Sequence, residues 1–166
     1  HEPEPRQLRA LERRLEAAGL AHARLSRLEA GDSRASDRAA HTVLIDRVGL
    51  LVDAYALGDL AYVGGGFGGG GLHSVIEPAA QGLPVLFGRR HGNTREAELL
   101  RDAGGGVECA DGRTLEAAIT RLIDDDGRRR RAGEVAALFV RERLGGDVAN
   151  AALLLKVVRR TAMPLA

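Results

Sequence analysis

Four short apolar runs, each followed by a stretch with helical character, constrain this chain more than any other feature. They are Thr42-Val43-Leu44-Ile45-Asp46, Leu60-Ala61-Tyr62-Val63-Gly64, Pro84-Val85-Leu86-Phe87-Gly88 and Gly106-Val107-Glu108-Cys109. Unbroken apolar runs of this length are what buried parallel strands look like, because helices cover both faces of the sheet. The stretches between them predict helices over 50–57, 73–81 (stopped by Gly82) and 94–103. Strands alternating with helices in this way build right-handed βαβ units. From Asp111, a candidate cap, Leu115, Ala118, Ile119, Leu122 and Ile123 fall at helical spacing. Two more helices are predicted, over 129–143 and 147–160. Ahead of the first run, Leu8, Leu11, Leu15 and Ala18 predict a helix over 5–18 ended by Gly19. A weakly alternating strand over 22–28 and a loop over 29–40 follow. The fold class expected is α/β, a Rossmann-like parallel sheet with helices on both faces.

Composition narrows the partners. The chain has 166 residues, enough for one domain (1–166) with one core. Apolar residues make up 45%, which excludes a disordered charged tail. The 24 basic and 23 acidic residues nearly cancel, so charge gives no argument for nucleic acid or a membrane surface. Aromatics at 3% are too few for a platform that stacks single-stranded bases. Cys109, the one cysteine, excludes an internal disulfide framework and a Cys-rich zinc site. No metal-ligand pattern and no nucleophile elbow is present, so neither a metal nor a nucleophile is expected. No stretch approaches the roughly 20 apolar residues of a membrane span. The opening His1-Glu2-Pro3-Glu4-Pro5 has neither an initiator Met nor the basic and apolar regions of a signal peptide. It reads as the cut or processed end of something longer.

The segment with most chemical content is Tyr62-Val63-Gly64-Gly65-Gly66-Phe67-Gly68-Gly69-Gly70-Gly71-Leu72-His73-Ser74-Val75-Ile76-Glu77-Pro78-Ala79. It reads as a strand, a glycine loop and a helix start. Glycines let a ligand approach the backbone, and a helix start directs free N–H groups at a phosphate. In open α/β sheets ligands bind beyond the carboxyl ends of strands, where this loop falls. Glu77, one turn into the helix, can accept both hydroxyls of a ribose. Pro78 is tolerated only in a first turn, which puts the helix start near Glu77. The plain alternative is a flexible loop, and no Walker lysine follows the glycines. His73 either donates to a phosphate or caps the helix. Gly49, after Asp46 in another strand-to-helix turn, offers a second bare amide or belongs to an ordinary turn. Arg89, Arg90 and His91 follow the third run and either meet an anion or form an exposed basic loop. The arginines of 128–131 and the aspartates of 124–126 read as solvated.

Taken in order and spacing, Leu44-Ile45-Asp46 with Val48-Gly49, the 61–68 glycine segment, His73-Ser74-Val75-Ile76-Glu77-Pro78-Ala79 and Gly82-Leu83-Pro84-Val85-Leu86-Phe87-Gly88 resemble the C-terminal half of 3-deoxy-D-manno-octulosonic acid (Kdo) transferases. These are GT-B glycosyltransferases built from two Rossmann-like domains. The resemblance extends to Asn93 and Glu96-Ala97 and reaches back to His1-Glu2-Pro3. It implies transfer of Kdo from CMP-Kdo to the lipid A precursor, lipid IVA, in lipopolysaccharide core biosynthesis, at the cytoplasmic face of the bacterial inner membrane. Contact with the membrane would be peripheral and through the full-length protein. This half would hold the donor, with Glu77 on the ribose and Gly49, Gly64, Gly65, Gly66 and His73 near the phosphate. Ser74 and Asn93 would complete the nucleotide-sugar site. The general base would lie in the protein's own N-terminal domain, so no residue here is assigned a catalytic role, and no cofactor is implied. This sequence departs from the family at Ser74, where Asn is usual, and at Val48-Gly49-Leu50, where many members read Met-Gly-Glu. Its glycine tract is also one residue longer.

The resemblance further implies an N-terminal domain and two strands before His1, so the strand near 23–25 is expected to lack a neighbour linking it to 42–46. A fragment of this kind would be inactive and marginally folded alone. The apolar residues Val148, Ala151, Leu154, Leu155 and Val158 would pack on the N-terminal domain or on another chain. Two alternatives stay open: another GT-B enzyme with a UDP-sugar donor, and a non-catalytic nucleotide-binding or protein-interaction module.

Overall fold

The computed structural model describes residues 4–31, 39–92 and 94–161, with side chains up to residue 143. The chain divides into two compact units, His1–Ala54 and Tyr55–Ala166.

The first unit opens with α1 (Pro5–Ala17), begun by a proline at its first position, where the missing N–H costs nothing. Strand β1 (His22–Arg24) lies parallel to β2 (Thr42–Leu44), with Ala23 opposite Val43. This corrects the expectation that β1 would lack a neighbour beside the 42–46 strand: the two pair directly. The expected strand over 22–28 also stops early, because Leu25 begins the short helix α2 (Leu25–Glu29). Asp46, just past β2, holds that helix start by accepting from Ser26 N–H at 3.0 Å and Ser26 Oγ–H at 2.5 Å. Burial pushes the Asp46 carboxyl up, but those two bonds and Arg24 outweigh it and hold it below the usual range. Arg24 in turn makes a two-pronged contact with Glu12 of α1, both bonds 2.6 Å long. Helix α3 (Leu51–Ala56) follows, its residues up to Ala54 counted with this unit and Tyr55 with the second.

The second unit is a parallel sheet of order β3-β4-β5, built from β3 (Ala61–Val63), β4 (Val85–Gly88) and β5 (Gly106–Cys109). Successive side chains of a strand face opposite ways. Val85 and Phe87 of the central strand therefore join a core with Val75, Ala79, Ala97, Leu100, Ala136 and Phe139. Those residues come from the loop before α4 (Ile76–Ala80), from α4 itself, from α5 (Arg95–Ala103) and from α7 (Asp126–Thr161). Leu86 faces the other way, packing with Cys109 and Leu122 under α6 (Gly112–Asp124). Helices thus cover both faces of a parallel sheet, as the unbroken apolar runs require. Asp111 caps α6 in a capping box with Thr114.

Where two helices were expected over 129–143 and 147–160, α7 runs as one. A glycine inside a helix costs about 1 kcal/mol against alanine, so Gly145-Gly146 weakens the helix without ending it. The apolar positions expected to form its outer stripe, Val148 to Val158, lie outside the described side chains. Helix α7 climbs the sheet from its amino to its carboxyl end. Near its start Gly133 lies against Gly82, at the foot of α4, and Ala136 against Gly105, just before β5. The aspartates of 124–126 and the arginines of 128–131 are partly spent on each other at the helix start. Asp125 accepts from Arg128 N–H at 2.8 Å, and Asp126 pairs with Arg129 and, at 2.6 Å, with Arg130.

Candidate functional site at the carboxyl edge of the second unit

The glycine segment leaves β3 and turns back on itself. Gly65 takes φ +96°, and a Cβ there would sit 2.0 Å from the Gly71 carbonyl oxygen. His73 N–H donates to Gly64 C=O at 3.3 Å, and Gly68 N–H donates to Gly65 C=O at 3.3 Å. The loop therefore has a closed neck at Gly64–Gly65 and Gly71–His73. Gly66 is pressed onto the end of β4: a Cβ would lie 2.6–2.8 Å from Gly88 backbone atoms, and Arg90 N–H donates to Gly66 C=O at 2.9 Å. Backbone packing alone demands glycine at 65, 66 and 88. Added Cβ atoms at Gly64, Gly68, Gly69 and Gly70 would meet nothing within 4 Å. The sequence suggests one uniform bare surface. The structure divides it into a packed neck and an open tip.

The helix after the loop begins at Ile76, three residues later than the 73–81 pattern suggests and next to the start near Glu77 that Pro78 implies. His73 and Ser74 are exposed residues of the approach, and Pro78 occupies the first turn as anticipated. A five-residue helix sums few peptide dipoles, so loop amides, rather than a helix macrodipole, are what the site offers an anion. Glu77 is exposed in that first turn. Burial, and then the Glu77 carboxylate, push the phenol of Tyr55 in α3 up. Tyr55 and Glu77 are therefore within electrostatic reach of each other.

The loop after β4 behaves as neither sequence alternative foresaw. Arg89 and Arg90 are exposed, but His91 is 4% exposed and turned inward. Its Nε2–H donates to Glu108 Oε2 at 2.6 Å, and Arg101 Nη1 donates to the same oxygen at 2.7 Å. The His91 bond, ahead of Arg101, holds the Glu108 carboxyl below the usual range against the pull of desolvation. The ring meets Phe87 edge-on, centroids 5.3 Å apart, and Nδ1 has no hydrogen-bond partner. This His–Glu–Arg network, in which the histidine is buried and its two partners are exposed, was missed from the sequence. Its signal was the acid at 108 in an otherwise apolar strand, placed by register opposite Phe87.

Of the residues singled out, the structure brings Gly64, Gly65, Gly66, His73, Ser74 and Glu77 together in one unit. Gly49 belongs to the other unit, where φ +87° gives it a conformational reason to be glycine. Asn93 lies outside the described residues. Among the described residues no cluster of His, Cys, Asp and Glu could hold a metal ion, and no helix is long and apolar enough to cross a membrane. The arrangement presents a glycine tip with open space around its backbone and, in the same unit, an exposed carboxylate at Glu77.

Comparison with known proteins returns one answer. The chain is 37% identical over 92 residues to the 3-deoxy-D-manno-octulosonic acid transferase of Chlamydia muridarum. It is 35% identical over 82 residues to that of Aquifex aeolicus. It is 34% identical over 134 residues, 79% of the chain, to that of Bordetella pertussis. These matches span only 21%, 23% and 30% of the relatives' own lengths. No family model matches. The fold is shared with the crystal structure of the C-terminal CMP-Kdo binding domain of WaaA from Acinetobacter baumannii. That match has a TM-score of 0.70 at 19% identity and covers 82% of this chain and 69% of that one.

Proposed function

We propose, from the similarity of this chain to the C-terminal part of Kdo transferases, that residues 1–166 are the donor-binding part of a glycosyltransferase. The full-length protein transfers Kdo from CMP-Kdo to a lipid A precursor, lipid IVA. The observation that carries the reading is the pairing of an open glycine tip with Glu77, at the carboxyl edge of a parallel sheet. The amides of Gly64, Gly69 and Gly70 meet the phosphate, and Gly65, Gly66 and the Gly68-to-Gly65 hydrogen bond hold the loop in shape. Glu77 accepts from both ribose hydroxyls, and Asn93 and Ser74 complete the site. His73 flanks the phosphate at the end of the loop.

Chemistry needs little from this half. CMP leaves as an anion, and amides fixed in advance around its phosphate stabilise the charge without reorganising. The acceptor hydroxyl is activated by a general base, which this reading places in the protein's own N-terminal domain. Work on a lipid acceptor puts the full-length enzyme peripherally on the cytoplasmic face of the inner membrane.

Calorimetry tests the reading. The 166-residue chain is expected to bind CMP in preference to UDP, and Glu77→Gln to weaken CMP roughly 10–100-fold. That range corresponds to about 1.5–3 kcal/mol for hydrogen bonds to a charged group. Equal or better binding of UDP would point to a UDP-sugar enzyme. Binding of neither nucleotide would point to an interaction module.

A further inference from the structure

Beside the glycine loop lies a cavity of about 630 Å³, walled by the residues around the starts of α4 and α5 and by the stretch of α7 that reaches the carboxyl edge. That volume is within the about 300–1,000 Å³ usual for small-molecule sites. Ser74, Thr94, Arg95, Glu96, Phe139 and Arg143 are among its walls. The composition is unusual for an idle groove. Arg143 lies across the Phe139 ring, its guanidinium carbon 5.0 Å from the centroid. That contact favours one placement of the cation, and among the described residues its donors have no partner. Among the described residues neither Arg143 nor Arg95 has a carboxylate partner. Several other arginines of this unit, among them Arg101, Arg128, Arg129 and Arg130, are paired to acids. The cavity thus holds two unspent guanidiniums, one carboxylate (Glu96), two hydroxyls and an apolar floor.

That set describes a ligand carrying an acid group and several hydroxyls, with a C–H face to lie on the floor. The proposed donor is a nucleotide joined to such a molecule, and Ser74 and Ile76 of the cavity wall flank the helix turn that carries Glu77. We propose that this cavity seats the sugar acid of the donor, with Arg143, assisted by Arg95, binding its carboxylate. The inference rests on the donor-binding reading and deepens it. Glu96 accepts from sugar hydroxyls, and Ser74 and Thr94 add hydroxyl contacts. Arg143 then becomes a specificity residue, because a neutral hexose leaves its guanidinium unanswered. The climb of α7 to the carboxyl edge has a use in this arrangement, since it delivers Arg143 to the site.

The test uses the 166-residue chain, titrated separately with free 3-deoxy-D-manno-octulosonate, with its methyl ester and with CMP, followed by amide NMR shifts. A charge-assisted guanidinium–carboxylate pair should favour the acid over the ester by about tenfold. Arg143→Gln should abolish that preference, and Arg143→Lys should retain part of it. A chain that does not bind the acid, an ester bound as well as the acid, or a preference that survives Arg143→Gln would each overturn the inference. The CMP titration judges the nucleotide reading separately. CMP binding without acid preference leaves that reading standing and sinks this one. Acid preference without CMP binding does the reverse.

Discussion

Glycine at 66 and glycine at 69 look alike in the sequence and do different work. Gly66 has its missing Cβ directed at the Gly88 backbone, 2.6 Å from its carbonyl oxygen, while the same atom at Gly69 would stand in open space. Gly66→Ala should therefore destabilise the second unit by about 1–3 kcal/mol, the usual cost of overpacking. Gly69→Ala should cost no more than about 0.5 kcal/mol, as a surface change does. Urea midpoints of the two variants against the parent chain check the pair. Glu77 and Pro78 were legible because a proline tolerates so few helical positions. His91 was not, because nothing local distinguishes a surface histidine from one that turns inward to meet an acid of the neighbouring strand.

At the scale of elements, strand positions were the most legible part. An unbroken apolar run of four or five residues bounded by glycine, proline or an acid has few other readings; β2 to β4 fall where such runs stand, and β5 where Glu108 interrupts one. Ends were less legible. The strand over 22–28 gives way to α2 because Asp46, twenty residues on, caps it. The helix α4 starts later than its 73–81 pattern because Val75 is held in the core, fully buried, before the first helical turn. Neither cause is local. Helix α7 gives the sharpest disagreement between propensity and packing. Alanine is a better helix former than glycine by about 1 kcal/mol. Yet a Cβ on Gly133 would stand 2.1 Å from the Gly82 carbonyl oxygen. Gly133→Ala should lower the thermal midpoint, and a rise would show that α7 does not pass so close to α4.

For the whole molecule, the glycine tip and Glu77 have meaning only because a parallel sheet puts both at one edge, where α/β proteins bind their ligands. Fold class could be read from strand order and spacing, and so could the position of the glycine segment and Glu77 after a strand's carboxyl end. The division of labour inside the glycine tract, the direct β1–β2 pairing and the cavity beside α7 depend on backbone approaches and on helix direction, which spacing does not encode. The most direct trial of the account is a residue-by-residue map of CMP on the 166-residue chain by amide NMR. Shifts concentrated at Gly64, Gly68, Gly69, Gly70 and the turn around Glu77 are the expected result. Shifts confined to the α6 face, or none anywhere, would contradict it.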